Sequence, residues 1–364
     1  MHLSYFSLRP LRQHALWLTA SLFLFSCSDD DVSPSVPPSS LNGYFIVNEG
    51  AFQGGNTSLS YYDRASDSVL NNVFETANGS KLGDQSQSMT VIGDRGFVVV
   101  QNSAKIEVID RSDFTSVATI TEGIVSPRYL IGVDDTKAYV TDWGEDGITG
   151  TVKVIDLASY QVTASIPVGE GPNQLLSSDG RVYVANGGAF GHDSTVMVLD
   201  PQADAVVDTI IVGDNPSSLA IDVNGALWIA GGGLVRYTDD FSAIMEEEST
   251  PGFLAVIEND QVSRRFEAAQ INVGPSSLTT NIARTDLYFH YRGGVHTITS
   301  DATTLPETPL IDADFLGLAV DPVTDEILVG DRNYSSEGRF YRYAPTGELI
   351  NSYTVGIAPN GFAF

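Results

Sequence analysis

The chain has 364 residues, 42% of them hydrophobic, with 46 acidic against 19 basic residues and a formal net charge of -27. That length buries a large core, and the acidic excess repels phosphate backbones and anionic lipid heads, which argues against nucleic acid as a partner. Cys27 is the only cysteine, so no internal disulfide forms.

Residues 1–26 read as a signal peptide. Arg9 and Arg12 precede the apolar run Ala15 to Phe25, which is too short to span a bilayer as a helix and ends in Leu24-Phe25-Ser26-Cys27. The ending resembles the lipobox of a bacterial lipoprotein, with a bulkier Phe25 than usual, and implies lipidation at Cys27. The alternative is a plain secretory signal with a chance cysteine. Removing this segment, which holds two arginines and no acid, takes the formal charge from -27 to -29.

Residues 27–42 read as a tether. Ser, Pro and Asp dominate and apolar surface is nearly absent, so the stretch cannot pack a core. Asp29-Asp30-Asp31 resembles the acidic signal that sends Bacteroidota lipoproteins to the cell surface; a solvated linker is the other reading.

From residue 43 to 364 one pattern repeats. Arg181 to Leu219 holds three short β-branched runs separated by Gly, Asn, Asp and Pro, and Lys137 to Leu175 spells the same order, with Tyr139 at the place of Tyr183 and Asp156 at the place of Asp200. Anchoring on the middle of each second strand gives Phe45, Val99, Tyr139, Tyr183, Trp228, Tyr288 and Leu328, at spacings of 54, 40, 44, 45, 60 and 40. Each interval has the size of a four-stranded blade, so the pattern predicts an all-β, seven-bladed β-propeller. Pro127, Pro172, Pro216, Pro275 and Pro359 stand in the turns before the inner strands, where proline fixes the turn without interrupting a ladder.

The two ends predict closure. The body begins with a second strand, Tyr44 to Val47, that lacks an inner partner, and the chain finishes on an inner strand within Ala358 to Phe364. The C-terminal strand is therefore expected to join the first blade and lock the ring. An open solenoid would need polar caps, which neither end shows.

Tyr139-Val140-Thr141-Asp142, Val154-Ile155-Asp156 and the Val-Gly-x-x-Pro turns resemble the YncE-like, or YVTN, propeller repeat. The opening Tyr44 to Gly50 resembles the first blade of Bacteroidota surface-lipoprotein propellers. The resemblance spans the mature chain and extends to the BtuG-like lipoproteins, which capture cobalamin beside a TonB-dependent transporter. It implies a propeller held at the outer membrane by its lipid anchor, on the cell surface, with a corrinoid such as cobalamin as ligand rather than cofactor. It supplies no ligand contact for any residue here.

In a propeller, the loops between second and third strands share a face with those leading into the inner strands, and sites sit on such loops. Insertions on that face carry aromatic residues among glycines: Phe52 in blade one, Trp143 in blade three, Phe190 in blade four and Tyr334 in blade seven. His290, Tyr291 and Arg292 are expected there from blade six, and Arg128 and Tyr129 from the turn before blade three. These nine residues form the candidate ligand-binding bowl, suited to a large planar or amphipathic molecule. Each aromatic side chain has packing between blades as its alternative role.

Asn48, Asn102, Asp142, Asn186 and Asp331 end second strands, and their oxygens could hold Ca²⁺. Recurrence favours turn closure instead, as it does for Asp63, Asp110, Asp156 and Asp200 at the ends of third strands. His290 and His296 fall on two strands of one hairpin and give no zinc pattern. No nucleophile elbow, phosphate loop or paired metal-binding histidines occur. No catalytic residue is assigned. The function expected is capture of a small-molecule or corrinoid ligand for a TonB-dependent transporter. The alternatives are a metal-dependent lactonase or lyase and a protein- or glycan-binding surface protein. Blade five carries a long excursion within Gly231 to Gly252, a partner-contact surface or a tolerated insertion; its third strand is either Leu234 to Tyr237 or Phe253 to Ile257.

Overall fold

The second strand of every blade is a run of apolar residues, as in Tyr44-Phe45-Ile46-Val47 or Leu227-Trp228-Ile229-Ala230, because both faces of the sheet are covered. In the computed structural model, which describes residues 42–364, alternate residues of such a strand face the two neighbouring blades. Tyr44 and Ile46 pack with Leu328 and Phe340 of the last blade, while Phe45 and Val47 pack with Val98 and Val100 of the second. Seven apolar clusters result, one at each seam between blades. The signal over residues 1–26, Cys27 and the tether up to residue 41 lie outside the described residues.

The ring has seven sheets. Blade one joins Pro359–Ala363, Gly43–Asn48, Ser58–Asp63 and Ser68–Leu70. The C-terminal strand thus supplies its inner edge, pairing antiparallel to Gly43–Asn48. The inner strands of blades two to seven are Ser86–Ile92, Pro127–Gly132, Pro172–Ser178, Pro216–Ile221, Ser276–Thr280 and Phe315–Val320. Proline opens four of the seven inner strands, at the one strand position where its missing N–H costs no ladder bond.

Blade six departs from the expected four strands and has three. Its third strand, Gly294–Thr299, meets the following segment only through a bridge between Val295 and Ile311. Pro306 and Pro309 lie in that segment, and each removes an N–H that a fourth strand would need. In blade five the third strand is Phe253–Glu258.

Every inner strand carries an irregularity at its start, where one more residue stands on the inner strand than on its partner. Gln87, Ser217, Leu316 and Asn360 are the single extra residues in four blades. In the other three, the pairs Arg128-Tyr129, Asn173-Gln174 and Ser277-Leu278 oppose one residue each. Such bulges re-aim side chains. Here they do so at the entrance of the central channel.

Candidate functional site

All seven inner strands contribute to a central cavity of about 480 Å³. Its polar lining comes largely from the bulged positions: Gln87, Asn173, Gln174, Ser217, Ser277 and Asn360, together with Ser88 and Thr90. Among the described residues Arg128 is the one charged side chain in the lining, and no carboxylate lines it. Neutral amides and hydroxyls in a narrow channel are suited to hydrogen-bonded recognition.

Arg128 is fixed at the rim from two sides. Its guanidinium carbon sits 3.9 Å from the centre of the Trp143 ring, and Nη1 donates to Gln101 Oε1. Burial pushes its basicity below the ordinary arginine value. Trp143 is in turn anchored by its indole N–H, which donates to the Pro172 carbonyl at 2.9 Å. Phe190 of the next blade meets Trp143 edge-on at 5.9 Å and remains 80% exposed. Arg128, Trp143 and Phe190 therefore form one continuous surface from the channel outward. A stacked cation of this kind contributes about 0.5–2 kcal/mol. Tyr129 joins from below, its hydroxyl accepting from Gln87 Nε2 at 3.0 Å.

A second group completes the arc. Glu49 accepts from Gln85 Nε2 at 3.1 Å and from the Tyr334 hydroxyl at 3.5 Å. Burial raises the Glu49 carboxyl above the ordinary carboxylate range, against the opposing pull of Arg128. Phe52, 65% exposed, stands on the blade-one loop, which Asn56 braces by accepting from the Ala51 amide. Blades seven, one, two, three and four thus share one arc around the channel mouth. Sequence reasoning singled out Arg128 and Tyr129 but missed Glu49, Gln85, Gln101 and the other bulge residues, although a polar residue follows the inner-strand turn in six of the seven blades.

Blade six contributes differently from expectation. Arg292 and Gly293, with φ of 51° and 76°, form a two-residue turn that pairs Tyr291 directly with Gly294. Tyr291 is consequently a strand residue, 5% exposed, packed against Phe289 and His296. It does not face the bowl. His290 is buried as well, with burial and nearby Arg332 holding its imidazole down to about 4. Arg292 alone of the three is exposed.

The recurring Asn and Asp residues hold the architecture. Asp142 accepts from the amides of Val125, Ser126 and Gly144. Asn48 and Asn186 donate to hydroxyls of Ser60 and Thr195 on the third strand, and Asn102 donates to Asp84. Asp63, Asp110, Asp156 and Asp200 each accept from a backbone amide two or three residues on. Among the described residues no group of three or more His, Cys, Asp or Glu side chains is placed to hold a metal ion. The oxygens of Asp142 and of the third-strand aspartates are committed to turn amides, whereas Asn48 Oδ1, Asn186 Oδ1 and Asp331 Oδ1 are buried without a hydrogen-bond partner.

A family model described as "Domain of unknown function (DUF5074)" matches residues 42–355. No curated protein matches the sequence. Among solved structures, a candidate 6-phosphogluconolactonase of Bacteroides fragilis is similar at a TM-score of 0.62 and 12% identity, over 90% of this chain and 99% of the other. A candidate 6-phosphogluconolactonase of Bacteroides uniformis gives 0.62 and 10%, over 88% and 99%. The hydrazine synthase of Kuenenia stuttgartiensis gives 0.57 and 15%, over 77% and 89%. At these identities the likeness is one of fold.

Proposed function

Since the chain belongs to the family described as "Domain of unknown function (DUF5074)", whose description assigns no activity, we propose a function from the geometry of the bowl: capture of a ligand by recognition, without chemistry on it. The observation that carries this is the Arg128–Trp143–Phe190 surface at the mouth of a channel lined by neutral amides and hydroxyls. Aromatic faces supply apolar contact to a large ring system, and the amide-lined channel suits a ligand edged with amide groups. A corrinoid such as cobalamin, a macrocycle bearing peripheral amides, meets both demands. With the lipobox-like ending at Cys27 and the YncE-like repeats, this supports a lipid-anchored outer-membrane protein that presents its ligand to a TonB-dependent transporter.

A lactonase-type reaction would call for acidic or metal-ligating groups along the channel, and among the described residues its lining holds no carboxylate, Glu49 standing outside it at the mouth. Capture is therefore the better-supported function.

Calorimetric titration of the full-length protein with cyanocobalamin tests it. Binding that weakens at least about tenfold in Trp143→Ala and in Phe190→Ala is the expected result. Failure of cyanocobalamin to bind removes the corrinoid. Cell fractionation of Cys27→Ser tests the anchor, with release of the protein from the membrane as the expected outcome.

A further inference from the structure

Arg128, like Arg264, lies over a tryptophan ring, and of the two Arg128 alone lines the cavity. Arg64, Arg95, Arg181 and Arg342 each have a carboxylate oxygen within 4 Å, at 2.7, 2.5, 2.9 and 2.7 Å. Arg128, among the described residues, makes no ion pair. Its nearest acidic neighbour, Glu49, is engaged by Gln85 and Tyr334. One N–H goes to Gln101, one face lies on Trp143, and Nε is buried without a hydrogen-bond partner. The charge has thus been partly removed from water with no counter-charge in contact, at the edge of a cavity it lines.

Resting on the reading of the bowl as a ligand site, we propose that Arg128 makes the channel mouth an oxyanion subsite, which takes the single carboxylate or phosphate group of an otherwise uncharged ligand. A guanidinium offers parallel N–H donors that match the two oxygens of either group. Stacking on Trp143 and the bond to Gln101 hold its plane, so little side-chain freedom remains to be lost on binding. The lining of the channel contributes neutral donors, and the carboxylate that acts on Arg128 from outside it, Glu49, is held away by Gln85 and Tyr334. The net charge of -27 works against polyanions at long range. Inside the mouth, within a Debye length of about 8 Å, the local arginine governs instead. Selection of one oxyanion on a neutral body follows from the two together.

Ligand-observed NMR titration of the full-length protein with benzoate, phenyl phosphate and neutral benzamide tests the subsite without knowledge of the natural ligand. At least one anion is expected to bind about tenfold or more tightly than benzamide, and the tighter of the two identifies carboxylate or phosphate as the group taken. Arg128→Met should abolish that preference and Arg128→Lys should retain part of it. Equal affinity for anions and benzamide in the wild type, no anion binding at millimolar concentration, or a preference that survives Arg128→Met would each overturn the proposal. If an anion is preferred while cyanocobalamin does not bind, the corrinoid is wrong and the subsite stands. The converse result removes the subsite and leaves the capture function.

Discussion

Arg64 of blade one grips Asp321 of blade seven through two hydrogen bonds, Nε to Oδ2 at 3.1 Å and Nη2 to Oδ1 at 2.7 Å, across 257 residues of sequence. Asp321 is 1% exposed and also accepts from the Val323 amide, while the guanidinium of Arg64 lies over the Tyr44 ring. The pair therefore pins the seam where the ring closes. Arg64→Ala leaves a buried carboxylate without its counter-charge, and the expected loss is about 3 kcal/mol in urea unfolding. The double variant with Asp321→Ala should lose less than the two single losses combined, because the stranded charge is gone. A single-variant loss below about 0.5 kcal/mol would mean that the apolar packing of Tyr44, Leu328 and Phe340 closes the seam unaided.

The terminal strand is the second component of closure. Pro359–Ala363 pairs with Gly43–Asn48, and the rings of Phe362 and Phe364 lie 6.3 and 5.5 Å from that of Tyr44. Deleting residues 359–364 exposes a ladder edge on blade one and one side of the first seam. The truncated protein is expected to aggregate or to be cut by protease within blade one first, while Phe364→Ala, which spares the backbone pairing, stays folded. A truncated protein that melts with the wild type would show the strand to be dispensable.

The ring was readable from the sequence because its physics recurs. Seven second strands must be apolar on both faces, and seven inner strands must be entered by a turn, so Tyr139, Tyr183 and Trp228 and the prolines at 127, 172, 216 and 359 repeat at blade spacing. The three-stranded blade six was obscured, since a missing outer strand leaves the anchor spacing unchanged. Tyr291 looked like a loop residue because His290-Tyr291-Arg292-Gly293-Gly294 matches a glycine-flanked insertion; the Arg292-Gly293 turn makes it the end of a hairpin strand. The channel lining was hidden for another reason. Gln87, Asn173 and Asn360 reach the channel only because bulges re-aim them, and a bulge shifts a register that sequence periodicity takes as fixed.

Phe241, on the blade-five excursion, is held at a φ of 56° with its side chain 79% exposed. The turn around it is fixed by the Thr238 amide bonded to the Ala243 carbonyl and by Asp240, which accepts from Thr238 Oγ1 and the Ser242 amide. None of these bonds uses the Phe241 side chain. Left-handed backbone costs a residue with Cβ about 1 kcal/mol, and glycine escapes that cost. Phe241→Gly is thus expected to raise Tm by about 2 °C, read by calorimetry. A fall in Tm would mean that the contact with Tyr237, 6.1 Å between ring centres, outweighs the strain.

His290 gives the fold a pH dependence of predictable sign. Its Nε2 is buried without a partner, and burial, then Arg332, pushes the imidazole from 6.5 down to about 4, with Asp314 and the backbone at Gly317 and Leu316 acting in the opposite direction. The unfolded chain takes up this proton near 6.5, whereas the folded chain resists until about 4. The contribution to stability is therefore complete above 6.5, falls as the pH drops through the interval, and is gone below about 4. Its full size is about 3 kcal/mol. His296, lowered by its own burial, adds a loss of the same sign. His290→Phe removes one share and leaves the other. Urea unfolding at steps from pH 7.5 to pH 4 should give a wild-type decline steeper than that of the variant, with their difference confined to the interval between the two His290 values. Parallel curves would show that His290 accepts its proton in the folded state as readily as in water, and that the seam between blades six and seven admits solvent to the ring.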